Sequence, residues 1–283
     1  MTRIGVTMMW SRVSRLTIVL WTAAAASSAQ ESPADRVNVE FSDPGRPGIV
    51  RVGLTSGGIT VTGYSGGEVI VEARVRQDRP ATASDRADGL RLVPSVATGL
   101  TVEEDGNVMK VSASSHDRTI DLTIRVPFQT SLVLKCVNDG DIRVEQVEGE
   151  IEVNNINGGV TLTGVSGSVV AHALNEDLIV TFVEVEPGKS MSFSSLNGDV
   201  DVTFPPDLKA RLVLKSDQGE IYSDFEIASD PTVSRLEVED SRGRGGSYRV
   251  KVDRTFHGTV NGGGPEMSFT TFNGDIFVRK AAQ

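Results

Sequence analysis

The chain has 283 residues, 38 acidic against 28 basic side chains for a formal net charge of −10, and one cysteine. The acidic balance argues against nucleic acid and anionic membrane as partners, since both need a basic surface, and a single cysteine excludes an intrachain disulfide. Glycine is plentiful at 29 residues while aromatics make up 5%, a composition that suits narrow repeated β coils better than a bulky globular core.

The first 29 residues read as a secretory signal peptide. Arg3, Arg12 and Arg15 precede an apolar run from Leu16 through Ala26, and Ser27-Ser28-Ala29 supplies the small residues of a cleavage site. The apolar run is about 11 residues, short of the roughly 20 that a spanning helix needs. An initiator at Met8 or Met9 leaves the same signal. Residues 30–36 are expected to be a short disordered N-terminus and 37–280 a single β-repeat domain. The expected product is exported, to the periplasm, the cell surface or the medium, with no membrane span in the mature chain.

Residues 37–126 alternate apolar and polar side chains in Val37-Val39-Phe41, Val50-Val52-Leu54, Val69-Val71-Ala73-Val75 and Ile120-Leu122-Ile124-Val126, the period-2 pattern of strands with one buried face. Gln77–Asp88 is polar and reads as a surface loop. Cys136 shares a face with Leu132 and Leu134 and is expected to be a buried core thiol.

A repeat then begins. Gly140, Gly149, Gly158 and Gly167 fall nine residues apart, and Glu176 takes the next place in phase. After each, apolar residues recur at plus two, plus four and plus seven: Ile142, Val144, Val147; Ile151, Val153, Ile156; Val160, Leu162, Val165; Val169, Ala171, Leu174; Leu178, Val180, Val183. The plus-two and plus-four residues share one face of a short strand, the glycine is expected to supply the positive φ of a tight turn, and the plus-seven residue is expected to turn inward at the next corner. One such unit cannot bury its apolar edge alone, so copies must stack.

A longer phase of 18 to 22 residues overlays the first. Ile156-Asn157-Gly158, Leu174-Asn175-Glu176, Leu196-Asn197-Gly198 and Phe272-Asn273-Gly274 share an apolar-Asn-turn signature, with variants at Asn138-Asp139-Gly140 and Asp217-Gln218-Gly219. Two short units per coil, stacked at a strand separation of about 4.8 Å, would align these turns along one edge. The pattern predicts an all-β, elongated, right-handed β-solenoid with less regular flanking strands, the hand following the chirality of parallel crossovers. An antiparallel sandwich is the rival architecture. From Glu226 to Pro265 the phase is lost, with glycine-rich loops at 242–246 and 262–265. Asn273-Gly274-Asp275-Ile276-Phe277-Val278 recovers it.

In this order the features resemble the bacterial "putative adhesin" family, an exported β-repeat domain of unknown function: strands, a Val126-Pro127 step into Ser131-Leu132, Asn-Gly-Asp-Ile turns, and a Gly-Gly-Gly-Pro loop before a last Asn-Gly-Asp strand. The resemblance covers roughly residues 36 to 280. It implies a solenoid-like fold and a cell-envelope setting, and supplies no catalytic residues.

Carboxylates recur at the turns. Asp177, Asn197, Asp199 and Asp201 are the candidate ligand-binding residues, either for calcium, which takes several oxygen ligands, or for a sugar. Asx-Gly-Asp is also ordinary turn chemistry, and neither a nonapeptide calcium repeat nor an EF-hand loop is present, so no metal site and no cofactor are assigned. A carbohydrate-active lyase or glycosidase needs two carboxylates across a cleft, and the sequence singles out no pair. His116, His172 and His257 lack metal-ligand spacing. Ser166 and Ser195 lack a nucleophile elbow. The expected role is therefore a non-catalytic interaction module for a protein or glycan, since repeats offer long surfaces. The alternatives are a carbohydrate-active enzyme, or a structural envelope protein that self-associates end to end, because little chain follows Ile276–Val278 to cap it.

Overall fold

The structure is a computed structural model that describes residues 35–76, 98–113, 118–229 and 255–282, and the backbone of two further strands at 236–240 and 248–252. The expected signal peptide, residues 30–34, the 77–88 loop, His116 and the 242–246 loop lie outside the described residues. Every described regular element is a strand.

In chain order these are β1 (Asp35–Glu40), β2 (Gly48–Ser56), β3 (Ile59–Tyr64), β4 (Glu68–Val75), β5 (Leu100–Asp105), β6 (Val108–Ala113), β7 (Ile120–Pro127), β8 (Thr130–Asn138), β9 (Ile142–Glu145), β10 (Glu148–Asn155) and β11 (Val160–Ala173). They continue as β12 (Leu178–Val185), β13 (Met191–Ser195), β14 (Val200–Phe204), β15 (Ala210–Ser216), β16 (Ile221–Ser223), β17 (Ala228–Ser229), β18 (Leu236–Asp240), β19 (Tyr248–Val252), β20 (Phe256–Val260), β21 (Glu266–Thr271) and β22 (Ile276–Lys280). β1 begins at Asp35, so Asp35 and Arg36 are strand residues rather than part of a disordered N-terminus.

Twenty strands form one hydrogen-bonded sheet, and β18–β19 is a separate hairpin. The pairings resolve the sheet into two faces joined through β11. On face A, β6, β2, β8, β10, the second half of β11, β13, β21 and β15 run parallel in that order. On face B, β7, β3, β9, the first half of β11, β12, β14, β22 and β16 do the same. One A strand, a corner and one B strand make a coil of two nine-residue units. Parallel pairing decides for a solenoid-like stack over the antiparallel sandwich.

The stack is terminated by antiparallel strands: β5 beside β6, β4 and then β1 beside β7, and β20 and then β17 beside β15. These account for the irregular flanks of the sequence, including the loss of phase after Glu226.

Stack order is not chain order. Coil β2–β3 lies between β6–β7 and β8–β9, and coil β21–β22 lies between β13–β14 and β15–β16. The C-terminal strand is thus interior, paired with β14 on one side and β16 on the other, which corrects the expectation that Ile276–Val278 is an uncapped end. The chain reaches this position from β20, on the far side of β15, through Asn261–Pro265. A Cβ on Gly264 would lie 2.2 Å from the carbonyl oxygen of Lys209, so the glycine-rich loop is needed to pass over the start of β15.

The core is the inward row of each strand. Ile142, Val144, Val160, Leu162, Leu178, Val180, Val200, Val202, Ile276 and Val278 are fully buried on face B. Toward β15 the core turns aromatic: Phe182 stacks on Phe204 at 5.1 Å and Phe193 on Phe269 at 5.0 Å, with edge contacts between the pairs. The plus-seven rule holds at Val147 and Val165 but not at Ile156 and Leu174, which are half-buried, or at Val183, which is 67% exposed. Strand alternation runs one step further there, and Asn155, Ala173 and Phe182 are buried instead.

Two carboxylates tie down the antiparallel end. Asp35 accepts from the hydroxyl (2.6 Å) and amide (3.2 Å) of Thr98, and Glu104 from the hydroxyl (2.6 Å) and amide (3.2 Å) of Ser42 and the amide of Asn107 (2.9 Å). The side-chain bonds first, then the amides, hold both carboxyls below their ordinary values. A carboxyl lowered on folding stabilises the fold above its unfolded pKa and loses that contribution as pH falls through the folded one. Hydrogen exchange at Ser42 and Thr98 is therefore expected to rise below the ordinary carboxylate range, ahead of exchange in the β9–β14 core.

Candidate functional site

The A-to-B corners carry the sequence signature, and three ladders run through them. The first is internal. In five of the A strands (β8, β10, β13, β21 and β15) the last inward residue bonds the turn beneath: Cys136 Sγ to Gly57 O at 3.0 Å, Asn155 Nδ2 to Gly140 O at 3.0 Å, Ser195 Oγ to Glu176 O at 3.0 Å, Thr271 Oγ1 to Gly198 O at 2.9 Å, and Ser216 Oγ to Gly274 O at 2.9 Å. The three hydroxyls also accept the amide three residues on, from Gly198, Gly274 and Gly219. Each hydroxyl thereby ties its own turn to the one below, satisfying groups that would be costly to bury unpaired.

The second ladder is the asparagine row. Asn157 donates to Asn138 at 2.7 Å, Asn175 to Asn157 at 2.7 Å, Asn197 to Asn175 at 2.8 Å and Asn273 to Asn197 at 2.7 Å. The third joins carboxylates to backbone. Asp121 accepts from Gly58 N (2.8 Å), Asp141 from Gly159 N (3.1 Å), Asp177 from Asp199 N (2.8 Å), Asp199 from Asp275 N (2.8 Å) and Asp275 from Glu220 N (2.8 Å).

Of the repeat glycines, Gly167 has the positive φ expected, at 113°, whereas Gly140, Gly149 and Gly158 do not, and the corner glycines serve the stacking instead. Gly140, Gly158, Gly198 and Gly274, at the corners, all lack positive φ. A Cβ on each would lie 2.1 to 2.3 Å from a backbone atom of the turn beneath, closer than any side chain tolerates.

The candidate residues fall into place accordingly. Asp177, Asn197 and Asp199 share the corner edge, each engaged in a turn-to-turn bond. Asp201 lies apart, outward on β14, where Arg279 Nε bonds both carboxylate oxygens at 2.8 and 2.9 Å. Among the described residues no group of three His, Cys, Asp or Glu side chains is placed to hold a metal ion. His172 Nδ1 lies 2.8 Å from Ser194 Oγ, its cross-strand neighbour on the outward side of face A. His257 pairs in register with Val213.

Sequence reasoning missed the internal ladder. Its signal is present: a polar residue three places before the turn glycine in Asn155-Ile-Asn-Gly158, Ser195-Leu-Asn-Gly198, Thr271-Phe-Asn-Gly274 and Ser216-Asp-Gln-Gly219. Cys136 occupies the same slot, one residue longer, with Asp139 at φ 61° absorbing the extra residue. Burial foremost pushes its thiol pKa up. Cys136 is expected to resist thiol reagents until the protein unfolds, and Cys136→Ser, which keeps a donor, to cost less stability than Cys136→Ala, whose lost bond is worth about 1 kcal/mol. Urea denaturation checks both.

Face B also displays a row that the sequence did not single out. Ile179, Asp201, Phe277 and Tyr222 are outward neighbours on adjacent strands. The rings of Tyr222 and Phe277 stack at 5.1 Å, and the Arg279 guanidinium lies 4.8 Å from the Phe277 centroid. Ile179 is 44% and Tyr222 50% exposed.

Fold and corners together define an all-β stack of parallel two-strand coils whose turns are bonded one to the next. The Toastrack DUF4097 family model matches residues 135–261, somewhat under half of the chain. Over that stretch the chain is similar to a domain of unknown function, in keeping with the resemblance read from the sequence. A putative cell adhesion protein from Clostridium sporogenes is similar at 10% identity and a TM-score of 0.47, covering 88% of this chain and 99% of its own. A putative adhesin from Bacteroides fragilis is similar at 12% identity and a TM-score of 0.37, covering 89% and 98%. No curated protein matches the chain.

Proposed function

We propose that the protein is a non-catalytic, adhesin-like interaction module, a right-handed β-solenoid exported to the bacterial cell envelope, which meets a protein or glycan partner through its stacked faces. One observation carries this reading. The turn carboxylates that a hydrolase or a calcium site would use are already engaged, Asp177 and Asp199 by the backbone of the next coil and Asp201 by Arg279. A residue that holds the stack together is poorly placed to move during turnover.

The contact surface is the outward row of face B. Exposed aromatic and arginine side chains are the residue types that dominate interface energetics, and Tyr222, Phe277 and Arg279 present them on a rigid sheet. The test is a glycan array and an envelope pull-down with residues 30–283, each with and without calcium. Calcium-independent binding without turnover, weakened at least tenfold by Tyr222→Ala at unchanged Tm, is expected. A hydrolytic or lyase activity abolished by Asp199→Asn or Asp201→Asn would overturn the reading.

A further inference from the structure

The opposite corners, where face B returns the chain to face A, hold a feature that no motif marks. Near the antiparallel end of the stack a cavity of about 360 Å³ is lined by Phe41, Tyr64, Phe128, Arg46, Gln129 and Glu148, with prolines and glycines between them. Phe41 and Phe128 lie in the connections following β1 and β7, and Tyr64 is the last residue of β3.

Each ring is seated against a glycine. A Cβ on Gly48 would lie 2.2 Å from Cζ of Phe41, one on Gly66 2.0 Å from Cε2 of Tyr64, and one on Gly63 3.0 Å from Cδ1 of Phe128. At Gly48 and Gly66 the missing side chain is the space the ring occupies, while at Gly63 the nearest atom is the Gln146 carbonyl oxygen, at 1.9 Å. Tyr64 is fixed further by its hydroxyl, which donates to Glu68 O at 2.8 Å. Arg46 is held at the rim by its Nε, which donates to Asp43 at 2.7 Å. Phe41 is 5% and Phe128 37% exposed, so a buried ring and an accessible one both line the cavity. Rings set in advance lose little freedom when a ligand arrives.

We propose that this cavity binds a short saccharide. A pyranose presents an apolar C–H face, which matches aromatic rings, and a circle of hydroxyls, which match a guanidinium, an amide and a carboxylate. The volume falls at the lower end of small-ligand sites, roughly 300–1,000 Å³. A wholly apolar ligand would desolvate Arg46, Gln129 and Glu148 without giving them partners, at a cost. An extended proline-rich peptide would use the ring ridges but leave the amide and carboxylate unanswered. The pocket is separate from the face B row, so it stands or falls independently of that surface.

The test is saturation-transfer NMR on the full chain with glucose, galactose and N-acetylglucosamine, their β-linked disaccharides, and a proline-rich decapeptide as comparator. Transfer to the C–H protons of at least one sugar is expected, lost in Phe128→Ala, weakened several-fold in Glu148→Gln, and unchanged in Val170→Ala, an exposed residue of face A outside both surfaces. Gly66→Ala, which forces the Tyr64 ring from its seat, provides a second reading should Phe128→Ala lower Tm. No transfer from any of these sugars, transfer that survives both pocket variants, or binding of the decapeptide alone would overturn the proposal.

Discussion

Valine in place of Gly274 is expected to destabilise the protein by roughly 3 kcal/mol, the upper end of what overpacking costs. Its Cβ would lie 2.1 Å from Gly198 O and 2.5 Å from Gly198 C. Both contacts are backbone, in a turn that is itself bonded on either side, so no flexible side chain can yield. The substitution also pushes the Asp275 amide away from Asp199 and the Thr271 hydroxyl away from Gly198 O. Gly53, in the middle of β2, has nothing within 4 Å of an added Cβ, and Gly53→Ala should be neutral or slightly stabilising. Urea denaturation of the two variants separates the causes. If Gly274→Val unfolds within about 0.5 kcal/mol of the parent, the scale on which ordinary surface changes fall, close turn stacking is not what that glycine is for.

Removing residues 266–283 is expected to abolish cooperative unfolding altogether. The segment is a coil from inside the stack, not a tail. It takes away Met267, Phe269, Ile276 and Val278, all fully buried, each worth roughly 1.5–3 kcal/mol of apolar burial, and leaves the β13–β14 and β15–β16 coils facing a gap. The family match ends at residue 261, so a protein trimmed to that boundary loses an interior layer. Loss of the thermal transition together with dye binding to exposed apolar surface is the expected result. A sharp transition near the parent midpoint would mean instead that β15–β16 had moved across to pair directly with β13–β14, which the shared slot pattern of Leu212, Leu214 and Ile221 with Met267, Phe269 and Ile276 would have made possible.

Much of the regular stack was legible in the sequence, because a coil that buries one row of each strand must repeat its apolar slots at fixed spacing. The five units from Gly140 to Val183 gave away the inward residues of β9 to β12, and the Asn-Gly turns gave the corner edge. Three things were not legible. Insertion of β2–β3 and β21–β22 out of chain order leaves no local mark, since an interior coil has the same pattern wherever it stacks. The internal ladder was hidden because Asn155, Ser195 and Thr271 look like surface residues until the alternation is carried one step further into the corner. The aromatic cavity joins four stretches between Phe41 and Glu148 that only the fold brings together. Among the candidate residues, Asp177, Asn197 and Asp199 lie on one corner edge, and periodicity could not tell a carboxylate bonding the next coil from one open to a ligand.

The interior position of the last coil sets the order of events during synthesis. A simple solenoid can add each coil to a finished neighbour as the chain emerges, since every repeat contacts only the one before. Here the β15–β16 coil leaves the ribosome before the layer that will lie beneath it exists. It must wait, unpaired on its inner side, through the passage of β17 to β20, until β21 and β22 close the gap. Closure of the stack is therefore a late event that depends on β21–β22, and a chain that stops before them is left with an open middle in place of a shortened end.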